Sequence, residues 1–222
     1  RDVLTRDGFF PRLSLPIVPG HEVSGIIKEV GEGVEYFKKG DRVSSLIYVP
    51  CGHCDNCISG NENLCQYKKT LGENLDGAYS KYVRISERSL VKVPDGVPEE
   101  LSTIAACVTG MVIHALDTCG NIKEGKRVLI TGAGGGVGAH AIQIAKAYGA
   151  EVMAVTSSEW KKEQLYKLGA DHVISSGEGF SKKVKEIWNE GAQIALENTG
   201  DATFSEAFRS LSFGGRMVVV GN

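Results

Sequence analysis

Four cysteines between residues 51 and 65 carry the clearest chemical signal in the chain. They stand at Cys51, Cys54, Cys57 and Cys65, with the spacing C-x2-C-x2-C-x7-C. Four thiolates this close in sequence can surround one tetrahedral Zn²⁺ ion. Because sulfur would fill every position, no coordination site is left for a substrate, and the predicted zinc is structural. Two disulfides or a redox pair are the alternatives, and His53, inside the loop, is predicted to be a bystander.

A second candidate for metal chemistry is His21, in the segment Gly20-His21-Glu22 that precedes a strand-like run. Histidine is a common zinc ligand, and the carboxylate of Glu22 stands beside it. From the residues alone, a hydrogen-bonded structural histidine and a metal ligand are both open. Cys107 lies on a predicted helix, where a buried, unreactive thiol is the alternative to a ligand.

A glycine-rich loop provides a candidate anion site. Residues 128–131 form a strand-like run, five glycines lie between residues 132 and 138, and apolar residues with helical spacing follow. This order brings unpaired backbone N–H groups and the positive end of a helix dipole to one point, where a pyrophosphate binds. The pattern G-x-G-x-x-G is imperfect because Ala133 stands at its first position, so a plain structural turn is the alternative. A second strand-like run at residues 151–156 completes a βαβ unit and favours the dinucleotide site. The predicted loop residues are Gly132, Gly134, Gly135, Gly136, Val137 and Gly138.

The residues after this second run indicate which dinucleotide is bound. An acidic residue about 20 positions after the last glycine usually accepts the ribose hydroxyls of NAD. Here the positions are Ser157 and Ser158, with Lys161 and Lys162 close behind. Hydroxyls and ammonium groups suit a 2′-phosphate, so the sequence favours NADP(H) over NAD(H). Glu159 offers a route to NAD(H), and a solvated helix start with ordinary charges is the structural alternative.

The hydrophobic pattern predicts an α/β protein in two parts. The first part is a small antiparallel β unit, whose strand-like runs are residues 23–30, 42–49, 78–85 and 90–93. A helix with a buried stripe that includes Leu101 and either Met111 or Val112 is predicted from residue 98. From residue 128, strands alternate with helices, which predicts a doubly wound parallel sheet. The chain begins with arginine and lacks a sixth strand, so both ends are expected to be truncated.

Composition argues against several classes of protein. With 222 residues and a formal net charge of -2, the chain has no basic excess for nucleic acid or a membrane surface. The sequence contains no apolar run long enough to span a bilayer and no signal-like leader. Clustered cysteines fit metal binding in a reducing compartment better than a secreted disulfide framework, so a cytoplasmic protein is expected.

Taken together, these residues resemble the medium-chain dehydrogenase/reductase superfamily, in its zinc-containing alcohol dehydrogenase branch. The resemblance covers the whole chain and also uses Gly25, Gly40-Asp41 and Leu168-Gly169-Ala170-Asp171. It implies a GroES-like, β-rich catalytic domain at residues 1–106, with its zinc lobe at 51–65, and a Rossmann domain at residues 107–222. Residues 90–94, 107–111 and 156–159 are most similar to archaeal members that include acryloyl-coenzyme A reductase.

The resemblance also implies roles for individual residues. His21 and Cys107 would bind a second, catalytic zinc, Glu22 would lie beside it, and Asp2 would orient the histidine. A further cysteine ligand is expected two residues before Arg1, outside this chain. Thr109 is a further cofactor-binding candidate.

The implied chemistry is hydride transfer between a nicotinamide and a small-molecule substrate, with zinc polarising the substrate oxygen. Alcohol dehydrogenases of this family carry a proton-relaying serine or threonine at the position of Arg1. A guanidinium cannot relay a proton in that way, which favours reduction of an activated C=C bond, as in an acryloyl thioester, over alcohol oxidation. Arg1 is expected instead to meet a substrate carbonyl or a phosphate. An inactive nucleotide-binding protein is the alternative of another class, and a homo-oligomer is expected for the full-length protein.

Overall fold

The structure, a computed structural model, describes residues 2–11 and 13–221. The chain separates into two compact units, of which the first ends at Cys107 and the second begins at Val108. Among the described residues, no helix combines the length and the apolar character that crossing a membrane requires.

The first unit is built from short elements joined by long loops. Its strands are β1 (Ser24–Ile26), β2 (Arg42–Ser45), β3 (Tyr48–Val49), β4 (Lys69–Thr70) and β5 (Leu90–Lys92). Strands β1, β2 and β5 form an antiparallel sheet in that order, and β3 pairs with β4. The α-helices are α1 (Asp2–Arg6), α2 (Asp55–Ile58) and α3 (Glu99–Thr103).

One strand prediction for this unit is wrong, and two others are correct only in part. Residues 78–85 contain no strand, because Ala78 and Tyr79 donate their N–H groups to the loop at residues 19–20 and no ladder continues beyond them. Only Ser24–Ile26 of the run at 23–30 is a strand. The run at 42–49 is divided into β2, which pairs with β1 and β5, and β3, which pairs with β4.

The predicted single helix from residue 98 is interrupted by π-helical turns. After α3, residues Ala105–Gly110 are π-helical, α4 is Met111–His114, and residues Ala115–Cys119 are π-helical again. A π turn contains an extra residue, so the spacing of an ordinary α-helix does not hold across it. Leu101 is accordingly 55% exposed rather than part of a buried stripe, whereas Val112 is buried.

The second unit confirms the predicted doubly wound sheet. Its parallel strands are β6 (Arg127–Ile130), β7 (Glu151–Thr156), β8 (His172–Ser175), β9 (Ala192–Glu197) and β10 (Leu211–Val219), in the order β8-β7-β6-β9-β10. The connecting helices are α5 (Gly136–Ala147), α6 (Lys162–Lys167), α7 (Phe180–Ile187) and α8 (Asp201–Arg209). The strand order reverses between β6 and β9, and ligands bind such sheets at the carboxyl ends of the strands beside this reversal.

Both faces of this sheet are covered by apolar side chains. Val128 and Ile130 of β6 pack into one core cluster with residues of α5, and Leu129 packs into another with Phe180 and Val184 of α7. The alternation along β6 follows from the two-residue period of a strand. A sheet buried on both faces holds the ends of its strands rigidly, which is what a site at those ends needs.

A buried carboxylate fixes the carboxyl end of β9. Glu197 is buried, and its Oε1 accepts hydrogen bonds from the N–H groups of Thr199 and Gly200 at 2.8 and 2.9 Å. The hydroxyl of Thr203 donates to the same carboxylate at 2.8 and 3.0 Å. The side chain therefore joins the last residue of β9 to the first turn of α8.

Replacing this carboxylate is expected to destabilise the full-length protein. Glu197→Ala removes the acceptor of three donors in a dry site and should lower the free energy of unfolding by about 2–4 kcal/mol. Urea unfolding measures the change. Glu186→Ala, at an exposed position of α7, is the matched control and should change the value by less than about 0.5 kcal/mol. Equal stabilities of the two variants would contradict the role assigned to Glu197.

Candidate metal sites and dinucleotide site

Two tight turns bring together the four sulfur atoms of the cysteine lobe, which comprises residues 51–65. Helix α2 begins directly after Cys54, and a 3-10 turn at Glu62–Leu64 ends directly before Cys65. The amide of Asn56 donates to the carbonyl of Leu64 at 2.9 Å and closes the lobe. All four cysteines are free thiols.

The separations between these sulfur atoms fit a single zinc ion. They are 3.9 Å between Cys51 and Cys57, 3.5 Å between Cys54 and Cys57, and 3.8 Å between Cys54 and Cys65. Zn–S bonds of about 2.3 Å in a tetrahedron place the sulfurs about 3.8 Å apart, whereas a disulfide needs about 2.0 Å. His53 instead contacts the Cys51 carbonyl oxygen at 3.0 Å through its Nδ1 atom.

The thiols of the lobe ionise unequally. The backbone N–H of His53, followed by that of Cys54, lowers the pKa of Cys51 to about 6. Burial, together with hydrogen bonds to the neighbouring thiols, raises the pKa of Cys57 to about 12. One negative charge is thus stabilised by backbone dipoles, while ionising Cys57 requires a cation among the sulfurs.

A second ligand group, the His21 cluster, consists of His21, Glu22 and Cys107. One imidazole nitrogen, one carboxylate oxygen and the sulfur lie within 4.8 Å of one another. The ligand atoms of a tetrahedral zinc lie about 3–4 Å apart, so the three groups can share one ion after small adjustments. Cys107 reaches this cluster from the first π-helical turn, a geometry common at functional sites.

Asp2, at the start of α1, holds the imidazole of His21. Its Oδ1 lies 3.1 Å from Nδ1 of His21, and its Oδ2 accepts the hydroxyl of Tyr79 at 2.9 Å. Burial alone would raise the pKa of Asp2, but the hydrogen bonds from Tyr79 and His21 outweigh it and lower the pKa. An ionised carboxylate can only accept, so Nδ1 donates to Asp2, which leaves Nε2 as the ring nitrogen that could bind a metal.

Tyr79 is placed by a close approach between two loops. The N–H groups of Gly77, Ala78 and Tyr79 donate to the carbonyls of Val18, Gly20 and Pro19 at 2.7–3.1 Å. A Cβ atom at Gly77 would overlap the carbonyl oxygens of Pro19 and Gly20, so only glycine fits there. The sequence prediction did not include Tyr79, whose only local signal was its position in the apparent strand at 78–85.

The glycine loop joins β6 to α5 with an uncapped helix start. Gly135 occupies the N-cap and has no side chain with which to bond the first N–H groups of the helix. At Gly138, a Cβ atom would lie 2.6 Å from the carbonyl oxygen of Gly132, so the helix packs directly against the end of the strand. The glycine loop and the first turn of α5 therefore fit a pyrophosphate, which needs free N–H donors and a close approach of the backbone.

The charged residues after β7 are tied to specific partners. Lys161 donates from Nζ to the carbonyl of Gly134 at 2.7 Å. Glu159 pairs with Lys162 at 2.7 Å and also accepts the hydroxyl of Ser175. The contact with Lys162, followed by the hydrogen bond from Ser175, lowers the pKa of Glu159.

Other predicted residues are distributed as follows. Ser157 is exposed and Ser158 half-buried at the end of β7, and Gly136 and Val137 form the first turn of α5. Within the described residues, Thr109 makes no hydrogen bond to the glycine loop, and Arg1 lies outside them. The sequence prediction also missed Asn198, which donates to the carbonyl of Thr131 at 3.0 Å beside the loop.

A β-rich unit with a closed four-sulfur site, followed by a doubly wound sheet with a glycine loop, defines a class of zinc-containing, nucleotide-binding proteins. The model of the alcohol dehydrogenase GroES-like domain matches residues 1–95, and that of zinc-binding dehydrogenases matches residues 136–222. The chain belongs to the medium-chain dehydrogenase/reductase family, in its zinc-containing branch.

Several relatives match along the whole chain. It is 45% identical to an acryloyl-coenzyme A reductase of Sulfurisphaera tokodaii and 46% identical to one of Metallosphaera sedula, over all 222 residues in both cases. The chain spans 65% of the length of each. The crystal structure of AibC superposes with a TM-score of 0.94 and 41% identity, over 100% of this chain and 63% of that one.

The cysteine lobe is expected to lose its metal when one sulfur is removed. Cys54→Ser in the full-length protein should lower the zinc content by one ion per chain and expose residues 51–65 to proteolysis, because the ion supplies much of the folding free energy of such lobes. Cys119→Ser, at an exposed thiol outside both ligand groups, is the matched control. Unchanged zinc content in Cys54→Ser would exclude a four-sulfur site.

The charge of Asp2 is expected to strengthen metal binding at His21. Asp2→Asn keeps the shape of the side chain but removes its negative charge, and should weaken zinc binding at this cluster by about 10- to 100-fold. Competition with a chelator measures the affinity in the full-length protein. Asp7→Asn changes a carboxylate that pairs with Arg6 on the surface, and it should leave the affinity unchanged. Equal affinities would show that Asp2 does not act on the metal site.

Proposed function

We propose that the full-length protein is a zinc-containing, NADP(H)-dependent oxidoreductase that reduces the activated C=C bond of an acryloyl-type thioester. The His21 cluster carries this proposal. A closed four-sulfur lobe alone would suit a purely structural protein, whereas a separate histidine, cysteine and carboxylate group suits a metal with an open position. Residues 1–106 would form the catalytic domain and residues 107–222 the nucleotide-binding domain.

Each element has a defined task in this proposal. A zinc ion bound by His21 and Cys107 would act as a Lewis acid toward the substrate carbonyl, and NADPH would supply the hydride. Asp2 keeps the proton of His21 on Nδ1, so that Nε2 stays a ligand, and Tyr79 holds Asp2 in place. Glu22 adds a carboxylate that offsets the charge of a bound dication.

The dinucleotide would be held by backbone and side-chain donors together. The first N–H groups of α5 would bind the pyrophosphate. Ser157, Ser158 and Lys161 would bind the 2′-phosphate, since an ammonium group has three donors and Lys161 uses one of them on Gly134. Glu159 is engaged by Lys162 and Ser175, which leaves it poorly placed to accept ribose hydroxyls and supports NADP(H) over NAD(H).

Two observations support thioester reduction. The relatives matched along the whole chain at 45% and 46% identity are named acryloyl-coenzyme A reductases. Arginine also stands where a proton-relaying hydroxyl is expected in alcohol dehydrogenases of the family. Alcohol oxidation is the second candidate, because a relative 38% identical, from Geobacillus stearothermophilus, is named alcohol dehydrogenase. We also propose that the full-length protein is a cytoplasmic homo-oligomer.

The full-length protein should oxidise NADPH in the presence of acryloyl-coenzyme A, with kcat/KM about 10- to 100-fold lower for NADH, because the 2′-phosphate adds charge-assisted hydrogen bonds. NADPH absorbance measures the rate, and metal analysis should give two zinc ions per chain. Turnover of simple alcohols with NADP⁺, without thioester reduction, would instead support the second candidate. One zinc per chain with no turnover of either substrate would indicate an inactive nucleotide-binding protein.

A further inference from the structure

Trp160 is placed unusually for a tryptophan. It is 78% exposed, whereas Trp188, the other tryptophan of the chain, is 4% exposed in the core beside α7. Trp160 lies on a 3-10 turn, Glu159–Lys161, that follows the carboxyl end of β7. A tryptophan left in water keeps a large aromatic surface available for a ligand.

The indole is connected to the glycine loop through Lys161. The ammonium of Lys161 lies 5.0 Å from the centroid of the Trp160 ring, within the range of a cation–π contact. The same ammonium donates to the carbonyl of Gly134. One side chain therefore holds the ring beside the loop, while most of the ring surface stays open to solvent.

We infer that Trp160 is a stacking platform for the adenine of the bound dinucleotide. The inference rests on the proposed NADP(H) function. With the pyrophosphate at the glycine loop and the adenosine ribose at Ser157 and Ser158, the base attached to that ribose reaches the residues that follow, of which Trp160 presents the exposed ring. Purines stack on aromatic side chains through their π faces, and this contact needs no further hydrogen bond.

Adenosine 2′,5′-bisphosphate is a suitable probe, because it contains the adenine, the ribose and the 2′-phosphate but no nicotinamide. Calorimetric titration of the full-length, zinc-loaded protein should give a Kd about 5- to 30-fold higher for Trp160→Ala than for the wild type. Trp160→Phe keeps a ring and should stay within about threefold of the wild type. The difference in fluorescence between wild type and Trp160→Phe should also be quenched by the probe, as expected for a stacked indole.

The control is Phe208→Ala, which removes a ring that is 61% exposed on α8, and it should bind the probe as the wild type does. An unchanged Kd for Trp160→Ala, or no quenching of the Trp160 emission at saturating probe, would overturn the stacking role while leaving the cofactor proposal intact. Failure of the wild type to bind either NADPH or the probe would overturn the proposed function and the stacking role together.

Discussion

The candidate catalytic site depends on the close contact between the loop at residues 18–20 and the loop at residues 77–79. No side chain fits at Gly77, and three backbone hydrogen bonds hold the two loops together. Tyr79 is thereby brought to Asp2, and Asp2 to His21. Residues far apart in sequence meet here without a regular sheet. Backbone hydrogen bonds between the two loops and the carboxylate of Asp2 hold them, in place of the hydrogen bonds between strands.

The first unit has little hydrophobic core to support this arrangement. Among its described residues, the buried apolar side chains are Val43, Pro50, Cys65 and Leu71. Burial of about 25 cal/mol per Å² of apolar surface cannot then contribute much stability. Hydrogen bonds between loops therefore contribute a larger share of the stability of this unit. A zinc ion among the four sulfur atoms, whose separations fit it, would contribute as well. The second unit differs, because both faces of its sheet are packed with apolar residues.

Local patterns made part of this architecture predictable. The cysteine spacing and the glycine loop are patterns of a few neighbouring residues, so both could be recognised in the sequence. From residue 128 onward, apolar residues follow the periods of strands and helices in turn, which made the order of the second unit's elements predictable. The contacts of Tyr79 and Asn198 join residues distant in sequence, and the tie between Glu159 and Ser175 crosses from one strand end to another. No local pattern encodes them. The apparent strand at 78–85 was wrong because its neighbour is a loop rather than a strand.

The π-helical turn at Ala105–Gly110 has a consequence for how this site can change during evolution. A turn of this kind holds one residue more than an α-helical turn, and each residue of an α-helix rotates the side-chain direction by about 100°. Deleting one residue from the turn would restore an ordinary helix and swing the thiol of Cys107 away from His21. A change in length by a single codon, with every ligand residue still encoded, is therefore enough to separate the residues of the His21 cluster. An alignment of related chains must therefore allow a gap at this turn before it is used to decide whether Cys107 is retained.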